Sequence, residues 1–204
     1  MPFTLVALRA EVLAALASDD GATWSDALLD EALRRSLRAL DRFGPVYEAT
    51  HTVSVAGADQ DVSVLPGLLE VTGLAWPWME EQPFEVAAQR WRTLGEVGRV
   101  RLRSGCPAVG DALRVRYRKT HSLEGLDGAT ATTVPAALRA TLAMGGACYA
   151  AQLRARQAIE NPALPADSVE RLRAWATELE RAFFVELLAC TRSEANPVWE
   201  GVGL

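Results

Sequence analysis

Lysine is nearly absent from this chain: of 21 basic residues in 204, only Lys119 is lysine and the other 20 are arginine. The skew fits a GC-rich coding sequence, and it equally fits interfaces where the planar guanidinium makes bidentate contacts; composition does not separate the two. Histidine is scarcer still. His51 and His121 lie far apart, each beside threonine or serine. With no nucleophile or orienting carboxylate at a readable spacing, both are expected at surface or strand positions and not as general bases. Cys106, Cys148 and Cys190 are odd in number and lack paired short spacing. That argues against a disulfide framework and against a zinc site, and Cys148 and Cys190 read as helix core residues. No apolar run reaches the eighteen or so residues that span a bilayer, and Met1-Pro2-Phe3 carries no basic leader pattern, so an intracellular or virion protein without a membrane partner is expected. Gly-rich phosphate loops, His-Glu-x-x-His and Gly-x-Ser-x-Gly are also missing. No enzyme activity, metal or cofactor is expected.

What is present is an ordinary globular composition, 50% apolar and 23% charged with a net charge of −5. The stretch that organises it is Val134 to Cys190. Thr133 and Pro135 mark a helix start, because proline has no N–H to lose in a first turn. Leu138, Leu142, Tyr149 and Leu153 then fall near one face, while Ala140, Ala143, Gly146, Ala147 and Ala151 let another helix lie close. Gly145-Gly146 belongs to this pattern and reads as close helix contact, not a ligand loop. Asn161-Pro162 stops the helix. After Pro165, Asp167 with Glu170 forms a capping-box pattern opening a second helix through Leu172, Ala176, Leu179 and Phe183.

An earlier pair of helices precedes it. Thr4 is the expected N-cap of a helix to about Ala17, with Leu5, Leu8, Val12 and Leu16 as its stripe. Trp24 before Ser25 predicts a hydrophobic staple onto Leu29, a helix through Leu33, Leu37 and Leu40, and a glycine and proline stop at Phe43-Gly44-Pro45.

Between the pairs the period falls from 3.6 to 2, which predicts strands. Thr50 to Val55 alternates, Gly57 to Asp59 is a turn, Val62 and Val64 resume, and Leu68 to Trp76 runs on to Pro77. Phe84 to Trp91 reads as helix or strand. The clearest pair is Arg99 to Arg103 with Leu113 to Arg118: one face would hold Val100, Leu102, Leu113, Val115 and Tyr117, the other Arg99, Arg101, Arg103, Arg114, Arg116 and Arg118. His121 to Thr132, with Gly125, Asp127 and Gly128 and little to bury, is a returning loop. Trp76-Pro77-Trp78-Met79 reads as core or an interface anchor.

Charge is split along this middle. Val46 to Gln89 holds seven acids and no Lys or Arg, whereas Arg90 to Lys119 holds nine bases against Glu96 and Asp111. Three readings compete: the halves pair within one sheet, the basic face meets nucleic acid, or an acidic face meets the basic face of the next subunit.

The order of elements resembles that of bacteriophage head-to-tail adaptor (connector) proteins. The resemblance is carried by Leu8-Arg9-Ala10-Glu11-Val12, Trp24-Ser25-Asp26-Ala27-Leu28-Leu29, Leu123-Glu124-Gly125-Leu126-Asp127-Gly128 before Val134-Pro135, and the alanine-rich helix that follows. It implies a homo-oligomeric ring, dodecameric in that family, beneath a portal protein in the virion neck. Tail or nozzle proteins would lie on its other side, and packaged DNA would pass through its channel. It also implies that the segment from Thr191 to Leu204 docks on the portal. Asn196-Pro197 turns that segment extended, and Val198, Trp199, Val202 and Leu204 supply apolar anchors. The six arginines would then face a neighbouring subunit or the lumen. A nucleic-acid-binding module using the arginine face is the alternative.

The expected fold is therefore α+β. A four-helix assembly comes from N-terminal (2–43) and C-terminal (135–190) helical hairpins, with an inserted small antiparallel β domain (46–120), a returning loop (121–134) and an extended C-terminal tail (191–204).

Overall fold

Thr4 and Ser25 begin the first two helices as their short hydroxyl side chains allow, each accepting a hydrogen bond from a first-turn amide, Ala7 and Leu28 respectively, at 3.4 Å. The computed structural model describes residues 3–16, 24–78, 89–159, 166–192 and 198–199. Helix α1 is Leu5–Ala15 and α2 is Asp26–Phe43. After a 3₁₀ turn at Ala136–Leu138 come α3, Arg139–Ile159, and α4, Ala166–Arg192. Strands lie between α2 and the 3₁₀ turn, apart from a two-residue strand after α4. The fold is α+β, with four helices and two small sheets among the described residues.

The chain divides into two units, one of residues 1–44 and 121–192, the other of 45–120 and 193–204. In the helical unit α3 is the hub: α1, α2 and α4 each pack on it, and α1 touches α2 only slightly. Two consecutive glycines make this possible. A Cβ on Gly145 would lie 2.2 Å from Ser36 Oγ and 2.6 Å from the Phe183 ring, and one on Gly146 would lie 2.6 Å from Val12. Thus α2 and α4 meet α3 at one glycine, and α1 and again α2, through Leu33, meet it at the next. At the same crossing the buried Ser36 hydroxyl donates to the Leu142 carbonyl at 3.0 Å, satisfying a polar group no water reaches. Leu8, Val12, Leu29, Leu33, Leu142, Phe183 and Leu187 fill one continuous core, with Tyr149 edge-on to Phe183 at 5.9 Å.

Several local expectations need correction. Gly44 does cap α2, but with φ −78° it is not left-handed; its amide bonds the Leu40 carbonyl, and a Cβ would sit 2.2 Å from that oxygen, so close approach is what requires glycine. Asp167 lies inside the first turn of α4, not before it, so the capping box does not form; there its carboxylate complements the helix dipole. The stretch 121–134 is a loop, yet it buries more than expected. Leu123, Leu126 and Val134 all enter the helical core. The loop is strapped to the first helices: Leu5 N donates to Glu124 O at 3.3 Å, Thr132 Oγ1 donates to Phe3 O at 2.8 Å, and Arg34 grips Asp127. Asp127 is held at φ 53°, a conformation Asp tolerates better than most residues.

The β unit has β1 Tyr47–Thr52, β2 Asp59–Asp61, β3 Leu68–Ala75, β4 Trp91–Thr93, β5 Arg99–Leu102, β6 Ala112–Lys119 and β7 Val198–Trp199. One sheet has the order β3-β6-β1-β7, the other β2-β5-β4, and every pairing is antiparallel except β7 on β1. The expected hairpin of Arg99–Arg103 with Leu113–Arg118 is therefore wrong. β5 and β6 lie in different sheets, and each finds acidic partners earlier in the chain. Their apolar faces do share one core, in which Tyr47, Val100, Leu102, Leu113, Val115 and Tyr117 are buried together. Residues 79–88, which include most of the helix-or-strand stretch, fall outside the described residues.

Gly145→Ala tests the hub. Alanine should add up to about 1 kcal/mol of helix propensity, but overpacking against Ser36 and Phe183 should cost about 1–3 kcal/mol. Urea unfolding followed by circular dichroism should show net destabilisation; a neutral result would mean that α2 and α4 are free to step back.

Candidate functional site

The charged face of the four-stranded sheet is built by register. Glu48 pairs with Arg116, Thr50 with Arg114 and Glu70 with Arg118 across neighbouring strands, so all of them project to the face opposite Tyr47, Val115 and Tyr117. Glu48 is the centre. Its side chain is 2% exposed and accepts from Arg114 Nε at 2.6 Å and Arg116 Nε at 2.5 Å, one guanidinium to each oxygen. Arg114 also lies over the Trp78 ring at 4.2 Å, and Arg118 reaches Glu70 at 3.1 Å. A carboxylate this buried is tolerable only when its charge and lone pairs are met, and these two arginines meet them. On the apolar side the Lys119 ammonium caps Tyr47 at 4.2 Å.

The three-stranded sheet carries the other candidate arginines. Arg101 pairs bidentately with Asp59, its Nη2 lying 2.5 Å from Oδ2, and this contact holds the Asp59 carboxyl below its usual range. Arg99 lies between Glu96 at 3.5 Å and Asp61 at 4.0 Å. Arg103 is exposed and has no acidic partner among the described residues. The six arginines proposed as one face thus occupy two sheets: Arg99, Arg101 and Arg103 on or beside one, Arg114, Arg116 and Arg118 on the other. Most are paired with acids from the first half of the β unit, as the first of the three readings of the charge split has it, but the pairs are spread over two sheets and not one. Sequence reasoning missed Arg90 and Arg92. The alternation Arg90-Trp91-Arg92 repeats that of Arg99-Val100-Arg101, but the ambiguity of the preceding stretch hid it.

The C-terminal candidates divide differently. Val198 and Trp199 form β7, whose backbone runs parallel to Tyr47 and Glu48 on the outer edge of β1. Asn196, Pro197, Val202 and Leu204 lie outside the described residues.

The remaining chemistry-bearing groups have structural surroundings. His121 Nδ1 lies 2.7 Å from Asp41 Oδ1, and its amide donates to the same oxygen at 3.0 Å, so a carboxylate distant in sequence orients this nearly buried ring. His51 sits in β1 opposite Leu113; burial pushes its pKa below the ordinary 6.5, against a smaller opposing pull from Asp61. Burial likewise pushes the Cys148 thiol up to about 12, the mark of an inert core cysteine. Cys190 is half-buried in α4 and Cys106 is exposed. Trp76 Nε1 donates to Asp111 at 3.0 Å, and Gly105, at φ 84°, lies so near its ring that a Cβ would come within 2.2 Å. The tryptophan therefore pins the loop after β5. Between α3 and α4 runs an open groove of about 460 Å³, flanked by Arg156, Arg173 and Glu180. Among the described residues no cluster of three or more His, Cys, Asp or Glu could hold a metal ion, and no helix is long and apolar enough to cross a membrane.

A scan of the chain against protein-family models matches no family, and a search of curated proteins finds no relative.

Two measurements check these assignments. Glu48→Gln should remove the buried charge that Arg114 and Arg116 share and destabilise the β unit by about 3 kcal/mol, the low end for breaking a buried pair because both arginines are partly exposed. Unfolding midpoints unchanged from wild type would reduce Glu48 to a bystander. For His51, whose folded pKa is depressed, the unfolded chain takes up the proton first as pH falls. Its contribution is thus present above about pH 6.5 and lost as pH drops toward the folded pKa. His51→Phe should flatten the acid loss of protection in β1 amide hydrogen exchange; an identical pH profile would remove His51 as a cause.

Proposed function

We propose that the chain is a structural head-to-tail adaptor of a tailed bacteriophage or related particle, assembling as a ring beneath the portal around the DNA channel. The finer architecture belongs to this reading: N- and C-terminal helical hairpins form one bundle, the β unit is an insertion, and 191–204 is a docking tail. The observation that carries it is the placement of β7. A segment beyond the last helix, past Asn196-Pro197, adds a short parallel strand to the edge of a sheet formed by residues 47–119. Strand addition of this kind is made through backbone hydrogen bonds, so the same two residues can pair with another chain's edge as readily as with their own. Only two residues are paired, which keeps the exchange inexpensive. The division into a helical unit interrupted by a β unit is also the element order that the resemblance rests on.

Arg114 and Arg116, offered from sequence as interface or lumen residues, serve the fold in this reading because Glu48 depends on them. Reversing either to glutamate would crowd carboxylates around a buried one and unfold the β unit, so such variants report on folding, not on assembly.

The test is light scattering and electron microscopy of the purified chain, alone and with the portal protein of the same particle. Ring assembly or portal capture is expected. Ending the chain after Thr191 should abolish portal association while helix content and subunit association survive. A strict monomer that ignores the portal overturns the reading, and loss of folding on truncation would assign the tail to the core instead.

A further inference from the structure

The three-stranded sheet carries an arrangement that folding alone opposes. Across β4 and β5, Arg92 stands opposite Arg101. The ladder continues outward in the same register, with Arg103 N donating to Arg90 O at 2.7 Å, so Arg90 stands opposite Arg103. Paired residues of an antiparallel ladder project to one face, and like charges directly opposite destabilise the pair. Arg99, two residues before Arg101, joins the same face. Five guanidinium groups thus stand in two rows about 5 Å apart, spaced about 7 Å along each strand. Against them the described residues set Asp59, engaged with Arg101, and Asp61 and Glu96, which share Arg99. Arg90, Arg92 and Arg103 are all exposed and form no ion pair among the described residues; the charge of Arg92 reaches Asp59 and helps hold its carboxyl below the usual range, but Asp59 is hydrogen-bonded to Arg101.

We infer that this face, centred on Arg90, Arg92 and Arg103, binds the phosphate backbone of double-stranded DNA without regard to sequence. Two alternatives fit the arrangement less well. Arginines that merely protect a sheet edge belong on the edge strand, and Arg90 and Arg92 on β4 would suffice; Arg103, continuing the central strand β5, adds repulsion and no protection. An acidic protein partner needs an apolar centre to its interface, and the one apolar residue in register here, Leu94 opposite Arg99, is only half-exposed at the far end. A phosphate backbone asks for neither. It gains from each exposed guanidinium by releasing condensed counterions, and it relieves the repulsion between the opposed pairs. The inference does not depend on ring formation or on any portal.

The test uses the full-length chain and a fluorescein-labelled duplex followed by polarisation across a salt series. Wild type should bind at low salt. The triple variant Arg90→Gln, Arg92→Gln, Arg103→Gln should bind about tenfold or more weakly, and its slope of log K against log salt should be shallower by about 0.9 per lost phosphate contact. A control triple of equal charge on α4, Arg171→Gln, Arg173→Gln, Arg181→Gln, should leave affinity within about twofold. Thermal midpoints of the first triple should equal or exceed wild type, since opposed like charges have been removed. Four results overturn the inference: no binding by wild type, equal weakening by both triples, displacement of duplex by polyglutamate at equal charge concentration, or a lowered midpoint in the first triple. Loss of DNA binding with portal association intact would fail this face alone, and the reverse would fail only the adaptor reading.

Discussion

The absence of two side chains in the middle of α3 is the constraint on which the helical unit depends. Three helices converge on one turn of a fourth, which is sterically possible only where the surface of that turn is nearly bare backbone. Gly145 admits Ser36 and Phe183, and Gly146 admits Val12 and Leu33. Because α1 and α2 touch each other so little, their positions are set through α3 and not through a hairpin of their own. The loop 121–134 completes the arrangement from outside, burying Leu123 and Leu126 while bonding back to Phe3, Leu5, Arg34 and Asp41. A helix interior normally disfavours glycine by about 1 kcal/mol relative to alanine. Here close packing on several sides offsets that cost.

The β unit is organised by charge as much as by burial. Its acidic first half and basic second half come together strand by strand, Asp59 with Arg101, Glu48 with Arg114 and Arg116, Glu70 with Arg118. These contacts differ in depth. The exposed Asp59–Arg101 pair is screened by solvent and adds little stability, whereas Glu48 is sealed beneath its two arginines and makes them indispensable to the sheet. Arginines that looked equivalent along the sequence therefore separate into structural ones on β6 and available ones around β4 and β5. That separation moves a candidate nucleic-acid surface from the sheet on which most of the alternation lies to its smaller neighbour.

Much of the helical architecture was legible from residues close in sequence. Thr4 and Ser25 cap where their chemistry predicts, the stripe Leu8, Val12 and Leu29, Leu33 is buried, and Gly145-Gly146 marks a close crossing. The β unit was less legible. Val100, Leu102, Leu113 and Val115 were assigned to the buried side correctly, because period 2 decides which face a residue takes. Nothing in that period says which strand lies alongside which, and proximity in sequence suggested a β5–β6 hairpin that does not form. The Asp167 cap failed for a related reason: the same Asp-x-x-Glu spacing serves a cap or a first turn, and only the start of the helix at Ala166 distinguishes them.

The sequence by itself determined what depends on neighbours within a few residues: the caps that start the first two helices, the inward face of the clearest strands, and the division of charge along the middle of the chain. Tertiary structure alone decided what depends on contacts between distant residues. Asp41 meets His121, Arg34 meets Asp127, Glu48 meets Arg114 and Arg116, and Val198-Trp199 joins the edge of β1. The physical reason is that local preference is written in backbone geometry and side-chain period, whereas pairing between distant segments is chosen by the total burial and charge compensation of the whole unit. An arginine held over a buried carboxylate and an arginine left for a partner therefore look alike until the strands are in place.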